Sequence, residues 1–362
     1  MGGVRIAEHF GQPFGASAAV NNFNRLARAI RAVLVWLLLF PLTQYYDDYT
    51  VIEPGVVAAT SKRIFERAVA ILGWNFECKV SPADSFVSLG VQFNVGRVLS
   101  HGCLTVCNTA RRVTNLIYEL NLIKKERLLS PARAASLRGK LGFAFSQTFG
   151  KVGRAGLRPL TERQYCLGGS KTLNPQLLLS FEFWESLLNN AIPRTLNFDL
   201  GTLPPVLVFT DGWQSESSDL KLGIGAVLFD PSDNALLYFG ALVDSSTVAY
   251  WSGGGEKEMM IHQAELFPVF LSRTTWSSRL WRRRNLTFID NDGARDCLIK
   301  GYSSVEPSGH ILGAVGLAEN RLECDSWFTR VPSEGNIADG PSRLDFEEVR
   351  ALGGKECDIV FP

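Results

Sequence analysis

The part of the chain that follows Pro205 alternates strands and helices in an order that few folds can accommodate. Apolar runs bounded by turn residues predict strands, and longer stretches predict helices between them. The predicted elements are strands at 206–211, 223–229, 235–243, 286–290 and 327–331, helices at 256–275, 292–302 and 310–323, and a short helix that begins at Asn336. This order predicts an α/β domain with a mixed five-stranded sheet and flanking helices.

Four acidic residues lie at or near the ends of these elements. Asp211 and Asp290 close the first and fourth strands, Glu265 lies on the first helix, and Asp339 lies at the last helix. If the first and fourth strands are parallel neighbours, their acids emerge at one sheet edge, where the two helix-borne acids can join them. Four acids from four elements predict a two-metal site, with the ions about 3.5 to 4 Å apart. Asp292 is an alternative to Asp290, although its place at a helix start makes N-capping the simpler explanation.

Two short motifs carry a family resemblance. Phe288-Ile-Asp290-Asn291 and Asn336-Ile-Ala-Asp-Gly-Pro-Ser-Arg343 resemble the ribonuclease H domain of retrotransposons. The resemblance implies cleavage of the RNA strand of an RNA/DNA hybrid, with two Mg²⁺ or Mn²⁺ ions held by the four acids. Many ribonucleases H have a histidine in the loop before the last aspartate. In this chain that loop offers only three polar candidates, Arg330, Ser333 and Glu334.

The first half of the chain contains two adjacent acids in a predicted turn. Asp47 and Asp48 follow the apolar run Val33 to Phe40 and precede Tyr49-Thr50-Val51, which predicts a β-hairpin with both carboxylates at its tip. At a buried turn, like charges this close repel unless a metal or a proton compensates them. The alternative is an ordinary turn, because aspartate is common in turns.

Tyr45-Tyr46-Asp47-Asp48 resembles the palm-domain signature of reverse transcriptases. The resemblance implies that Asp47 and Asp48 hold metal at a polymerase site and that primer-template nucleic acid is a partner. It also implies that nearby residues contact the nucleotide or the nucleic acid, namely Gln12, Gly15, Tyr46 and Lys79.

A palm of this kind needs a third carboxylate on a preceding strand. The only acid before Asp47 is Glu8, so we expect the polymerase site to be incomplete and the chain to correspond to the C-terminal part of a reverse transcriptase with its ribonuclease H. A separate N-terminal polymerase portion is then a possible partner. The rival interpretation is a decayed or domesticated fragment that binds nucleic acid without chemistry. A recombinase or transposase is disfavoured, because neither explains the upstream hairpin.

The net charge of +1 conceals a basic segment between Arg111 and Arg158. This segment contains eleven basic residues and two acids, Glu119 and Glu126, on stretches with helical periodicity. A face of one sign favours phosphate contacts, whereas a solvated helix surface usually mixes signs. The predicted nucleic-acid contacts are Lys124, Lys125, Arg138 and Lys140.

The chain is therefore expected to be multidomain, of mixed α/β and α+β class. The expected divisions are a partial reverse-transcriptase palm at 1–95, a helical thumb and connection at 96–200, a ribonuclease-H-like domain at 205–345 and a tail at 346–362. Seven scattered cysteines without a CxxC pair favour neither a disulfide framework nor a zinc cluster. The apolar stretch Ala32 to Leu42 is too short for a membrane helix, and no signal-peptide pattern precedes it, so we expect an intracellular protein, cytoplasmic or nuclear.

Overall fold

The structure is a computed structural model that divides into two compact units, Met1–Leu89 and Gly90–Pro362. It describes residues 15, 17–77, 81–146, 152–166, 169–190, 193–198, 203–215, 221–252 and 260–361. Within these residues, none of the helices is both long enough and apolar enough to cross a membrane.

The first unit packs two helices around a short hairpin. Its elements are α1 (Ser17–Ala32), a π-helical stretch (Val33–Leu37), β1 (Leu42–Tyr45), β2 (Asp48–Val51), α2 (Gly55–Ile71) and β3 (Ser85–Ser88). A small core includes Ile30, Leu34, Phe40 and Val69. The apolar run before the hairpin is therefore not a strand, since its first half continues α1 as π-helix and β1 begins only after Pro41.

The predicted hairpin is present, with Tyr45 paired to Asp48 in an antiparallel register. Its turn consists of Tyr46 and Asp47, and Tyr46 has a left-handed φ of 51°. Asp48 is thus the first residue of β2, while Asp47 occupies the tip.

The second unit begins with a largely helical region. Its elements are β4 (Val91–Asn94), α3 (Val98–His101), β5 (Cys103–Asn108), α4 (Ala110–Glu126), α5 (Pro131–Ala144), a 3₁₀ turn (Ala155–Leu157), α6 (Arg158–Tyr165), α7 (Pro175–Asn189) and β6 (Arg194–Asn197). Side chains of Thr109, Ser130 and Asn174 cap α4, α5 and α7, the three longest helices of this region, as expected for residues of their type at N-cap positions. The core around fully buried Trp184 joins α4, α5 and α7.

The remainder of the second unit is built on a mixed sheet of six strands, in the order β11-β10-β7-β8-β9-β12. The strands are β7 (Val206–Gln214), β8 (Leu222–Asp230), β9 (Ala235–Leu242), β10 (Arg284–Ile289), β11 (Asp325–Arg330) and β12 (Lys355–Glu356). The helices are α8 (Ser245–Trp251), α9 (Ile261–Thr275), α10 (Ser277–Leu280), α11 (Asp292–Lys300), α12 (Glu306–Leu322), α13 (Asp339–Ser342) and α14 (Glu347–Ala351). Strands β7, β8 and β9 are antiparallel, whereas β10 runs parallel to β7, β11 runs parallel to β10, and β12 runs parallel to β9.

The sixth strand lies in the segment that the sequence predicted as a tail. β12 pairs with Leu237 and Tyr238 at the outer edge of β9. Val349 of α14 is buried, and Arg350 donates to the Tyr238 hydroxyl at 2.8 Å. An open edge strand exposes unpaired backbone groups, so this segment has a structural role in covering β9. A strand of two residues is too short to produce a recognisable pattern in the sequence.

Candidate metal centre

The register of β7 and β10 places two aspartates side by side. The parallel pairing ends where Ile289 pairs with Thr210; Asp211 is the next residue of β7, and Asp290 directly follows β10. β7 does not end at Asp211 as predicted, because its antiparallel pairing with β8 continues to Gln214. Asp211 thus lies where one of its two strand neighbours stops and the other continues.

Helix α9 brings Glu265 to the same place by lying directly on the backbone of β7. A Cβ on Gly212 would lie only 2.5 Å from the Glu265 nitrogen, so a side chain at this position would force the helix away. The Gly212 N–H donates to the Glu265 carboxylate. The start of the helix is tied to β7 as well, since the Met260 N–H donates to the Gln214 side chain at 3.0 Å.

The carboxylates of Asp211, Glu265 and Asp290 form one cluster, in which each offers an oxygen within 4.8 Å of the others. Asp211 is 3% exposed and Glu265 is 4% exposed. Glu265 Oε2 and Asp290 Oδ1 are buried and have no hydrogen-bond partner in the described part of the chain. Buried acceptors normally have hydrogen-bond partners, so this cluster requires a bound cation or protonation of its carboxylates.

The protonation of the cluster reflects its burial. Burial, with the charges of Asp211 and Asp290, raises the pKa of Glu265 to about 9. Burial also raises the pKa of Asp211 to about 7. Hydrogen bonding by the Ser342 side chain opposes this increase, the charges of Asp290 and Asp339 add to it, and the charge of Arg343 opposes it. The anionic forms of Asp211 and Glu265 are thus disfavoured until positive charge arrives.

The fourth predicted acid, Asp339, lies beside the cluster rather than in it. Its carboxylate accepts from Arg343 Nε at 2.9 Å, and its charge reaches Asp211. The neighbouring Asn336 is buried and donates from Nδ2 to Thr210 O at 3.1 Å and to Asp211 Oδ1 at 3.3 Å. The structure therefore groups three of the four predicted acids and connects the fourth to them through Asp211.

Strand glycines allow the segment carrying Asp339 to approach the sheet. A Cβ on Gly225 would lie 2.7 Å from the Pro341 carbonyl carbon, and Gly223 and Gly240 are equally close to α13. Alternating glycines in a predicted strand are a recognisable signal of close backbone approach, and the sequence interpretation missed it.

The donor set suits a hard divalent cation. Mg²⁺ and Mn²⁺ prefer carboxylate oxygens, and this cluster presents them with two acceptors that the protein leaves unsatisfied. Three mutually close carboxylates also supply the charge that such an ion would balance. The residues therefore fit the implied metal.

Asp292 is not part of the cluster. It is about half exposed and pairs with Arg295 Nη1 at 2.9 Å and with Arg330 Nη1 at 3.3 Å. The predicted capping role belongs to its neighbour, because Asn291 Oδ1 accepts from the Ala294 N–H at 3.0 Å. Arg330, one of the three candidates to replace the expected loop histidine, is thus engaged with Asp292.

A histidine that the sequence interpretation left without a role lies one turn before Glu265. His262 Nδ1 is 3.2 Å from the Oγ of buried Ser308, and the ring also bonds the backbone of Gly293. Burial lowers the pKa of His262. Through these contacts His262 connects α9 to the first turn of α11, just after Asp290.

The Asp47 and Asp48 pair has a different environment. Asp47 is exposed and Asp48 is half-buried, so the prediction of a buried turn was wrong. The reason is that a two-residue turn projects beyond the small core of the first unit. Tyr46 and Gly15 are exposed as well, and Gln12 and Lys79 lie outside the described residues.

The basic segment does not present a face of one sign. Lys124 Nζ is 2.8 Å from Glu185, and Lys140 Nζ is 2.7 Å from Glu119. Arg138 Nη1 donates to the side chain of Gln164 at 3.2 Å. Lys125 is exposed and makes no ion pair with any described residue. Counting charges along one segment could not reveal Glu185, which comes from α7.

The chain matches no protein-family model and no curated protein. Among solved structures, it is similar to RNase H1 from the halophilic archaeon Halobacterium salinarum, at 17% identity and a TM-score of 0.30 over 40% of this chain and 99% of that one. The N-terminal RNase H domain of a Mycobacterium tuberculosis protein, as a fusion with maltose-binding protein, has 11% identity and a TM-score of 0.29 over 42% of this chain and 99% of that one.

A foamy viral protease-reverse transcriptase in complex with an RNA/DNA hybrid has 12% identity and a TM-score of 0.31 over 90% of this chain. This chain spans 46% of the length of that protein.

Proposed function

We propose that this protein is a metal-dependent nuclease that cleaves the RNA strand of an RNA/DNA hybrid. The observation that carries the proposal is the buried cluster of Asp211, Glu265 and Asp290, with two carboxylate oxygens left unsatisfied. An exposed acidic patch could remain solvated without a metal, but a buried one needs compensation. Two Mg²⁺ or Mn²⁺ ions at a site of three grouped acids and Asp339 would provide it.

Each residue of the site has a part that follows from its surroundings. The charges of both Asp290 and Asp339 act on Asp211, so it is the ligand we assign to both ions. Glu265 and Asp290 would complete the first site, and Asp339 would complete the second. Asn336 orients Asp211, because its side-chain amide donates to that carboxylate and to the adjacent backbone.

Bound divalent ions would activate a water molecule and stabilise the leaving oxygen of a phosphodiester. The protein's own contribution is to hold the carboxylates in register. The parallel strands fix Asp211 against Asp290, and the close approach at Gly212 fixes Glu265. His262 supports the same arrangement by joining α9 to the turn after Asp290.

The substrate class is proposed from the residue order. Asp211, Glu265, Asp290 and the Asn336-Ile-Ala-Asp339 motif follow the ribonuclease H pattern, and the mixed sheet with β7 central is compatible with it. We also propose a reverse-transcriptase relationship for the first unit, with the Tyr45–Asp48 hairpin as a palm element. On that basis residues 96–200 would be a thumb and connection that contacts primer-template or hybrid through exposed basic side chains such as Lys125.

The decisive experiment is cleavage of a hybrid with a labelled RNA strand in Mg²⁺ and in Mn²⁺. We expect RNA-strand cuts that depend on metal, that vanish with Asp211→Asn and that persist with the matched control Asp292→Asn. Cleavage of the DNA strand instead would overturn the substrate assignment. Failure to cut any hybrid with either metal would leave nucleic-acid binding without chemistry as the better interpretation.

A further inference from the structure

Arg343 forms the one ion pair that any of the four acids makes with a described residue. Its Nε lies 2.9 Å from Asp339 Oδ1, four residues earlier. By contrast, Asp211 is hydrogen-bonded by the neutral amide of Asn336, and Glu265 by a backbone N–H. Among the four acids, Asp339 is therefore the one in direct contact with a cationic side chain of the described residues, although the charge of Arg343 also acts on Asp211.

The backbone under this ion pair has little freedom to move. The Arg343 N–H donates to Gly340 O at 3.0 Å, and the Asp345 N–H donates to the same carbonyl at 2.9 Å. The lack of a side chain at Gly225 and Gly240 lets α13 pack directly on the backbone of the sheet. A change of partner at Asp339 must then occur by side-chain rotation rather than by movement of the helix.

Both partners are free enough for such a rotation. The side chains of Arg343 and Asp339 are 52% and 47% exposed. In the same conformation Arg343 lies over the Trp213 ring at 6.0 Å, a contact that does not depend on Asp339. Since exposed ion pairs are weak, the pair would yield to a divalent ion instead of blocking it.

We infer that Arg343 acts as a built-in competitor for the second metal ion, holding Asp339 in the metal-free protein and releasing it when that ion binds. The inference rests on the proposed function, because it assigns Asp339 to the second ion. Arg343 is a positioning residue, since it acts through Asp339. Occupation of the site would then proceed in order, with the buried cluster filled before Asp339 is released.

Mn²⁺ titration followed by electron paramagnetic resonance, with calorimetry in parallel, tests the inference without relying on activity. For Arg343→Gln we expect the second ion to bind about five-fold more tightly than in the wild type, with little change for the first ion. Arg343→Lys should restore the wild-type affinity, because it keeps a cation beside Asp339. An unchanged or weaker second ion in Arg343→Gln, or a second ion absent from both proteins, would overturn the inference.

The matched control is Arg350→Gln. Arg350 pairs with Glu356 at 2.9 Å, is similarly exposed and lies over the Phe346 ring at 5.2 Å, but it is not bonded to any of the four acids. We expect this control to leave both ions unchanged, and equal tightening in Arg350→Gln would mean that general charge, rather than competition, explains the effect.

Adding Asp339→Asn to Arg343→Gln should abolish the tightening, and a persistent effect would contradict the role of Asp339. Hybrid cleavage is measured on the same proteins. Ordered Mn²⁺ binding without cleavage would reject the proposed function while leaving the competition intact.

Discussion

Two groups of acids in this protein differ in their spacing along the chain and in their burial. Asp47 and Asp48 are adjacent in the chain, but one is exposed at a turn and the other begins a strand. Asp211, Glu265 and Asp290 are far apart in the chain, yet they share one buried site with unsatisfied oxygens. A set of carboxylates requires a compensating cation because it is buried, and not because its members are close together in the sequence.

The two groups of acids also differ in the structural features that bring them together. The hairpin motif predicts its turn correctly, but a solvated turn needs no metal to be stable. The second set depends on strands pairing in parallel and on a helix lying against a glycine, and both features are present. We therefore expect the metal-dependent properties of the chain to follow the second set.

The largest contrast is expected in catalysis. Asp211→Asn should reduce hybrid cleavage by roughly 10³-fold or more, because residues that act as a unit lose most of their effect when one is removed. Asp47→Asn should leave cleavage within about two-fold, since its carboxylate lies in the other unit. Single-turnover rates with labelled hybrid measure both. A cleavage loss with Asp47→Asn that matched the loss with Asp211→Asn would break the distinction.

Neighbouring aspartates on one turn sharpen the choice of ligands. Asp290→Asn should remove most of the increase in unfolding temperature that Mg²⁺ confers, because the substitution neutralises one of the three clustered carboxylates. Asp292→Asn should retain most of that increase, since its partners are Arg295 and Arg330. The measurement is thermal unfolding with and without Mg²⁺. The reverse result would show that the register of β10 is misassigned.

Without metal, the stability of the second unit should depend on pH because of Glu265. Its pKa is raised to about 9, so the folded state retains a proton that the unfolded state releases near the ordinary glutamate pKa. This contribution to stability is complete at low pH and is lost as the pH rises through about 9. Asp211, with a pKa of about 7, acts in the same direction.

Urea unfolding in EDTA should accordingly show a decrease in the free energy of unfolding, on the order of 3 kcal/mol, between about pH 6 and about pH 9. Glu265→Gln should reduce that decrease, and saturating Mg²⁺ should offset it because the ion favours the deprotonated carboxylates. The control Asp48→Asn should leave it unchanged. A wild type whose stability rises over this range would contradict the assignment.

The smallest effect is expected in the basic segment. Lys125→Ala should weaken hybrid binding more than Lys124→Ala, because Lys124 is already paired with Glu185 while Lys125 is exposed. A single lost phosphate contact should change the slope of log K against log salt by about one. Binding curves over a salt series measure this slope. Equal slopes for the two variants would contradict a phosphate contact by Lys125 that Lys124 does not make.

Much of the strand and helix order after Pro205 could be predicted, because alternating apolar patterns and turn residues are local signals. The grouping of Asp211 with Asp290 could be expected once parallel pairing was assumed. The ion pair between Asp339 and Arg343 was missed, although both residues lie in the motif that was recognised. Glu185 beside Lys124 and β12 beside β9 could not be predicted, since tertiary contacts between distant segments leave no local pattern.

The most direct measurement is anomalous diffraction from crystals of the wild-type protein soaked in Mn²⁺. We expect a strong anomalous peak bounded by the carboxylates of Asp211, Glu265 and Asp290, a second peak towards Asp339 at higher Mn²⁺, and no comparable peak at Asp47 and Asp48. Peaks at the hairpin with an empty buried cluster would contradict the central claim that burial, rather than adjacency, makes the metal site.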